Sequence, residues 1–393
     1  MTQRTLRGRA AMVSVTVAAA LTVAACGSSG GSGGGSTGPI KVGAVASLTG
    51  PLPFPDATAG AKAAFDEINA NGGINGRKIE YIVRDDASDP ATAAQVGRQL
   101  VEQEHVVANV ASLSAAGDCT TNVPMYQRNK VYTIGLGLQP QCTTASTFAP
   151  VNAGPVISGA LQDIYVKQEL GISEQCYFGT TGPGLAATDA AIRGIAEKYG
   201  VTFKYFADSQ GPNDPPTPFV VNAKQAGCKS LAYGGIEPQI VSTLQAVQAQ
   251  GFPGKVIAPT TGYSESLITA AGKTAEGLYA ASEFVPITSN DPAVVAYRNA
   301  VQKAGGKVTA LSEGGYIAAQ LFASVLKSIS DDITPASVAA ALEKKTPLSN
   351  PLLLSPWTFG HFPNRSIQMV QVQGGKWVPV GKPQTLPETA LAK

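Results

Sequence analysis

From residue 39 onward, short apolar runs alternate with longer helical patterns, and near residue 157 the alternation starts again. Residues 40–46, 79–83, 106–110 and 131–134 read as strands. Between them, 58–71 reads as a helix with Ala61, Ala64, Phe65 and Ile68 on one face, and 90–104 as a helix with Pro90 in its first turn. The run from Asn71 to Gly76 is turn chemistry. The second round places helices at 157–170, 184–199, 219–226 and 239–250, and strands at 175–178, 202–206, 230–234 and 255–258. Residues 291–304 and 315–330 are again helical, and a hairpin of 367–373 and 376–380 turns on Gly374-Gly375. Strand–helix–strand repeats imply parallel pairing with helices on both sheet faces. The expected fold class is α/β with two lobes, each a mainly parallel sheet. A ligand cleft is expected between them, outside the carboxyl ends of the strands.

The first 38 residues fall outside this pattern. Arg4, Arg7 and Arg9 precede an uncharged apolar stretch, 10–25, and residues 27–38 are all Gly, Ser or Thr. A basic start, a short apolar segment and small residues before a cut describe a secretory signal peptide. The stretch, roughly 16 residues, is shorter than the 20 or so that span a bilayer. Leu21-Thr22-Val23-Ala24-Ala25-Cys26 resembles a bacterial lipobox. That resemblance implies removal of 1–25, lipidation of Cys26 as the new N-terminus, and a flexible tether over 26–38 with a reach of roughly 20 Å. Two acyl chains on one residue anchor a protein stably where one does not. The expected location is the outer face of the bacterial cytoplasmic membrane.

Residues 1–25 carry three Arg and no acid, so the chain from Cys26 has net charge −1 against +2 for the whole. Near-neutrality gives no reason to expect nucleic acid or a polybasic membrane contact. Beyond Cys26 there remain Cys119, Cys142, Cys176 and Cys228, which allow three pairings. Cys176 and Cys228 each precede a strand-like run. If those strands are parallel neighbours, the two cysteines share a sheet end within disulfide reach, and Cys119 then pairs with Cys142.

Several stretches together resemble the type I periplasmic binding proteins, and within them the branched-chain amino acid (Leu/Ile/Val) binding proteins of ABC importers. They are KVGAVASLTGPL at 41–52, the run GAKAAFDEINANGGINGRKIEYIVRDDASDPATAA from Gly60, AYGGIEPQIVSTLQAVQAQGF from Ala232, AAGKTAEGLYAASEF ending at Phe284, and GGYIAAQLFASVL from Gly314. The likeness covers 39–385. It implies lobe one at 39–153 plus 285–362, lobe two at 154–284 plus 363–393, and a hinge of three crossovers. It implies a monomeric receptor without a cofactor that closes on a small solute and delivers it to a permease and its ATPase.

The resemblance also places the site. A ligand carboxylate would be held by hydroxyls and backbone N–H groups in the loops 112–118 and 135–139, with Ser112, Ser114, Ala116, Gly117, Gly137 and Gln139 as candidates. Phe54 matches an aromatic wall and Tyr316 an aromatic position near the hinge. The expected ammonium-binding acid falls at Thr260, which is no acid. Either Glu237 or Glu313 substitutes, or the ligand is a carboxylate or amide without an ammonium, since an unpaired buried ammonium is costly. The second option is favoured. A lipid-anchored sensing receptor of the same fold is the alternative function. A secreted hydrolase is a weaker one: His105 and His361 stand apart, and no Gly-x-Ser-x-Gly elbow or Cys/His metal spacing occurs.

Overall fold

The computed structural model describes residues 38–393 except 144, 145, 183, 361, 362, 392 and 393. Cys26, residues 1–37 and His361 lie outside the described residues.

The first sheet is built from β1 (Ile40–Ala46), β2 (Ile79–Asp85), β3 (Asn109–Val110), β4 (Thr133–Gly135) and β5 (Phe148–Pro150), in the order β2-β1-β3-β4-β5. Every pairing in it is parallel. Its connections are α1 (Asp56–Ala70), α2 (Pro90–Arg98), α3 (Asp118–Thr121) and α4 (Val123–Asn129). Asp89 caps α2 through the Thr92 N–H at 2.7 Å, with Pro90 at the first helical position. The helical pattern to residue 104 holds, but α2 widens after Arg98 into a π-helical turn, Gln99–Gln103. The third strand is shorter than its apolar run, and β5 was not read from sequence. It carries Pro150, which an edge strand tolerates because one side needs no ladder donor.

The second sheet follows α5 (Gly154–Gln168). Its strands and helices are β6 (Glu174–Thr180), α6 (Leu185–Lys198), β7 (Thr202–Gln210), α7 (Thr217–Gln225), β8 (Ser230–Gly234), α8 (Glu237–Gln250), β9 (Lys255–Ile257), α9 (Glu265–Ala271) and β10 (Tyr279–Ser282). The chain then returns to the first lobe with α10 (Pro292–Lys303), α11 (Ala310–Lys327) and α12 (Pro335–Glu343). It finishes with β11 (Ser366–Gln373), β12 (Lys376–Pro379) and β13 (Gln384–Thr385). The order is β12-β11-β10-β9-β8-β6-β7, with β13 paired to β11. Strands β6 to β10 pair in parallel and β11 to β13 antiparallel. Thus the expected α/β fold with two mainly parallel sheets is present, and Gly374-Gly375 turns the final hairpin.

Helix α11 returns onto α1 at close quarters. A Cβ on Gly60 would collide with the Ser312 carbonyl, and one on Gly315 with that of Ala57. Tyr316 donates to Glu67 across the same seam at 2.5 Å. The sheets are joined by three segments, after β5, after β10 and before β11. Asn364 ties all three: its amide donates to the Val151 carbonyl at 3.2 Å and the Glu283 carbonyl at 3.0 Å. Trp357, 1 % exposed, donates its indole N–H to Pro150 O at 2.9 Å.

Candidate functional site

Between the sheets lies a cavity of about 110 Å³. Its lobe-one wall is Leu52 and Phe54 after β1, Ala115 after β3, and Leu138 and Gln139 after β4. Its lobe-two wall includes Thr180 at the end of β6, Gly234, Gly235 and Ile236 at the end of β8, and Pro259 and Thr261 after β9. Both sheets therefore present their carboxyl ends, as parallel topology requires of a ligand site. The lobes meet at the rim. A Cβ at Gly182 would stand 3.1 Å from Leu52, and one at Gly184 would stand 3.1 Å from Gln139. Glycine there lets the lobe-two loop approach without a side chain in the way.

From this mouth the cavity runs into lobe two along α5 and α6. Pro155, Ser158, Gly159, Gln162 and Asp163 line it from α5, and Leu185, Thr188, Asp189 and Ile192 from α6. Tyr177 and Ala232 form the sheet side. Asp163 is 1 % and Asp189 5 % exposed. Burial pushes the Asp163 carboxyl up to about 8. Burial also pushes Asp189 up to about 6; the Tyr177 hydroxyl, donating to it at 2.6 Å, opposes the rise, and Asp208 adds to it.

Of the residues expected from sequence, Phe54 and Gln139 line the cavity. The others sit as follows. Ser112 accepts the Val45 N–H at 3.1 Å. Ser114 donates to Asp86, which also accepts from Ser47 at 2.6 Å, and takes the Asp118 N–H at 3.2 Å. Both hydroxyls are thus engaged within lobe one, and Ala116 is buried in its core. Gly117, at φ +80°, lies beside Gln139, and the Gly137 N–H donates to Asn152 at 2.9 Å. Glu237 heads α8 and accepts from Ser264 and Ser266 at 2.8 and 2.7 Å. Thr260 donates to buried Glu283 at 3.2 Å. Glu313 is fully buried in α11, and burial holds its carboxyl well above the usual range. Tyr316 donates to Glu67 of α1 and is not among the residues that line the cavity. The structure therefore gathers Phe54 and Gln139 with a set that sequence reasoning missed: Tyr177, Asp163 and Asp189.

The disulfides pair as expected. Cys119–Cys142 has Cα atoms 5.1 Å apart and Cys176–Cys228 5.8 Å apart. The first holds the turn that carries Gln139 against the start of α3. Among the described residues no group of three or more His, Cys, Asp and Glu is placed to hold a metal, and no helix is long and apolar enough to cross a membrane.

A sequence profile of the periplasmic binding proteins matches residues 39–376. The Leu/Ile/Val/Thr-binding protein of Salmonella typhimurium is 27 % identical over 285 residues, covering 68 % of this chain and 74 % of its own. The Leu/Ile/Val-binding protein of Escherichia coli is 26 % identical over the same shares. Among solved structures, a fatty acid ABC transporter substrate-binding protein from Thermomonospora curvata superposes with TM-score 0.78 at 20 % identity, over 92 % of this chain and 97 % of its own. LivJ of Streptococcus pneumoniae, solved with isoleucine, gives TM-score 0.73 at 18 % identity, over 88 % and 99 %. Those two likenesses are of fold. The named relatives are solute-binding proteins, so the hydrolase alternative falls away. By its sequence over most of its length, and by its two mainly parallel sheets joined through three segments, this chain belongs to the periplasmic binding protein family, in its type I fold.

Proposed function

We propose that this protein is the extracytoplasmic solute-binding component of an ABC importer, tethered to the membrane through lipidated Cys26. Its lobes close on a small amino-acid-like, carboxylate or amide solute, and a permease with its ATPase takes delivery. The observation that carries this reading is the cavity walled by the strand ends of both sheets. Closure of the lobes on a solute excludes water, which strengthens each polar contact to it. Leu52, Phe54, Leu138, Leu185, Ile192 and Ile236 make the wall mostly apolar. That suits a small solute with a hydrocarbon part, as the names of the relatives suggest for their own ligands. The lobes divide at 153/154, 284/285 and 362/363, close to the segments that Asn364 ties together.

The test is a thermal-shift screen of the detergent-solubilised full-length protein against amino acids and against small carboxylates and amides without an ammonium group. A specific ligand raises the melting temperature as its concentration passes its Kd. A flat response across the whole screen would refute solute binding of this class. For the anchor, Cys26→Ala should abolish acyl labelling and release the protein from membranes. Retention without acylation would refute the lipobox reading.

A further inference from the structure

Along the part of the cavity between α5 and α6, the side-chain donors on the wall are engaged within the protein. Ser158 donates to the Gly154 carbonyl at 2.8 Å, Gln162 to that of Ala258 at 2.8 Å and Thr188 to that of Gly184 at 3.3 Å. Tyr177 donates to Asp189 at 2.6 Å. The rest of the lining there is carbon: Pro155, Gly159, Leu185, Ile192 and Ala232. Gly159 fixes Ile192 in place, since a Cβ on it would stand 2.9 Å from the Ile192 Cδ1.

Charge is not offered to a solute at this end. None of the described lining residues is Lys, Arg or His, and neither Glu237 nor Glu313 is among them. A carboxylate would find no cation. An ammonium would find Asp163, which burial keeps protonated at neutral pH by pushing it up to about 8, and Asp189, already held by Tyr177. The oxygens without partners, Oδ1 of Asp163 and Oδ2 of Asp189, are covered by protein. Burying a charge without a partner is costly. At the mouth the polar groups are uncharged. Gln139 donates to the Ala115 carbonyl at 3.3 Å and Thr261 to that of Gly235 at 2.5 Å. Each carbonyl has a second lone pair for a donor from outside.

We propose that this site takes a short-chain aliphatic solute with an uncharged head, its alkyl tail seated in lobe two between α5 and α6 against Ile192 and Ala232, and its head at the mouth beside Gln139 and Thr261. A carboxamide is such a head, donating and accepting without charge. A cavity of about 150 Å³ accepts benzene, so about 110 Å³ suits a tail of about five carbons and excludes a long chain. Ile192 and Ala232 then select chain length. The inference rests on the solute-binding reading and narrows it to ammonium-free, uncharged solutes.

The experiment is calorimetric titration of the full-length protein in dodecyl maltoside, whose chain is too long for the chamber, with butanamide, 4-methylpentanamide, octanamide, 4-methylpentanoate and leucine. Binding of 4-methylpentanamide is expected, with each of the others at least tenfold weaker. Missing methylenes in an apolar pocket cost about that much or more. Ala232→Val narrows the chamber and should weaken 4-methylpentanamide at least fivefold. Ile192→Ala lengthens it and should shift preference towards octanamide, with circular dichroism unchanged in both variants. Leucine or 4-methylpentanoate binding as tightly as the amide overturns the uncharged class and leaves solute binding intact. Equal affinity for butanamide and 4-methylpentanamide, or a chain-length preference unmoved in both variants, overturns the tail chamber. Binding of none of the five overturns this inference alone if the wider screen gives a hit, and the solute-binding reading with it if the screen gives none.

Discussion

Opening the two disulfides one at a time separates stability from site geometry. Cys176–Cys228 closes a loop of 52 residues and Cys119–Cys142 one of 23. In the chain-entropy account the unfolded-state restriction grows with the logarithm of loop length, which gives about 4 kcal/mol for the longer loop and about 3.4 kcal/mol for the shorter. Cys176 sits in β6 beside Leu231 of β8, so its strands stay hydrogen-bonded without the bridge. Cys119–Cys142 does something else: it pins the turn after Gln139, whose side chain lines the cavity and touches Gly184 across the rim. The perturbation is the double Ala variant of each pair, with urea unfolding to read stability and calorimetry with a solute found in the thermal-shift screen to read affinity. Cys176→Ala with Cys228→Ala should lose the more stability, about 4 kcal/mol in urea unfolding, with affinity within about twofold. Cys119→Ala with Cys142→Ala should lose less stability and at least fivefold in affinity. The reverse order of stabilities would refute the loop-entropy argument. Unchanged affinity in the second variant would refute the role given to the Gln139 turn.

Asp163→Asn should change the pH dependence of stability. Burial raises the Asp163 carboxyl to about 8 from an ordinary 3.8, so between about pH 4 and 8 the folded state keeps a proton that the unfolded state has lost. Wild-type stability therefore falls as pH rises through that window, and the Asn variant should show a flatter melting-temperature profile from pH 5 to 7.5. Asp86→Ala removes the acceptor shared by Ser47, Ser114 and the Ser88 N–H, and should cost about 3 kcal/mol in urea unfolding. Trp357→Ala empties a fully buried site and frees the Pro150 carbonyl, and should cost about 3–5 kcal/mol. Asn364→Ala should destabilise by about 1–3 kcal/mol and widen the spread of lobe orientations in small-angle scattering. An unchanged profile there would mean the crossing segments need no clasp.

Much of the fold was legible because each strand and helix repeats a period that packing on both sides of a sheet enforces. What was lost were elements without a period. Phe148-Ala149-Pro150 holds its edge by three residues, and Tyr279-Ala280-Ala281-Ser282 by small side chains under neighbouring strands. The site was harder, for a physical reason. Ser112 and Ser114 stand where a ligand loop belongs, yet hydroxyls at strand ends serve the Val45 N–H and Asp86 equally well, and spacing cannot separate the two uses. Asp163 and Asp189 read as the polar side of ordinary helices. One signal could have exposed the first. Residues 160 to 166 of α5 are buried consecutively, almost two turns without a solvent face. In a helix apolar all round, Gln162 and Asp163 cannot be solvated, so each must meet an internal partner. Gln162 has one, the Ala258 carbonyl at 2.8 Å. Asp163 Oδ1 has none, and it is buried. The same burial that hides the acid from a periodicity argument leaves that oxygen unpaired and pushes its carboxyl up to about 8.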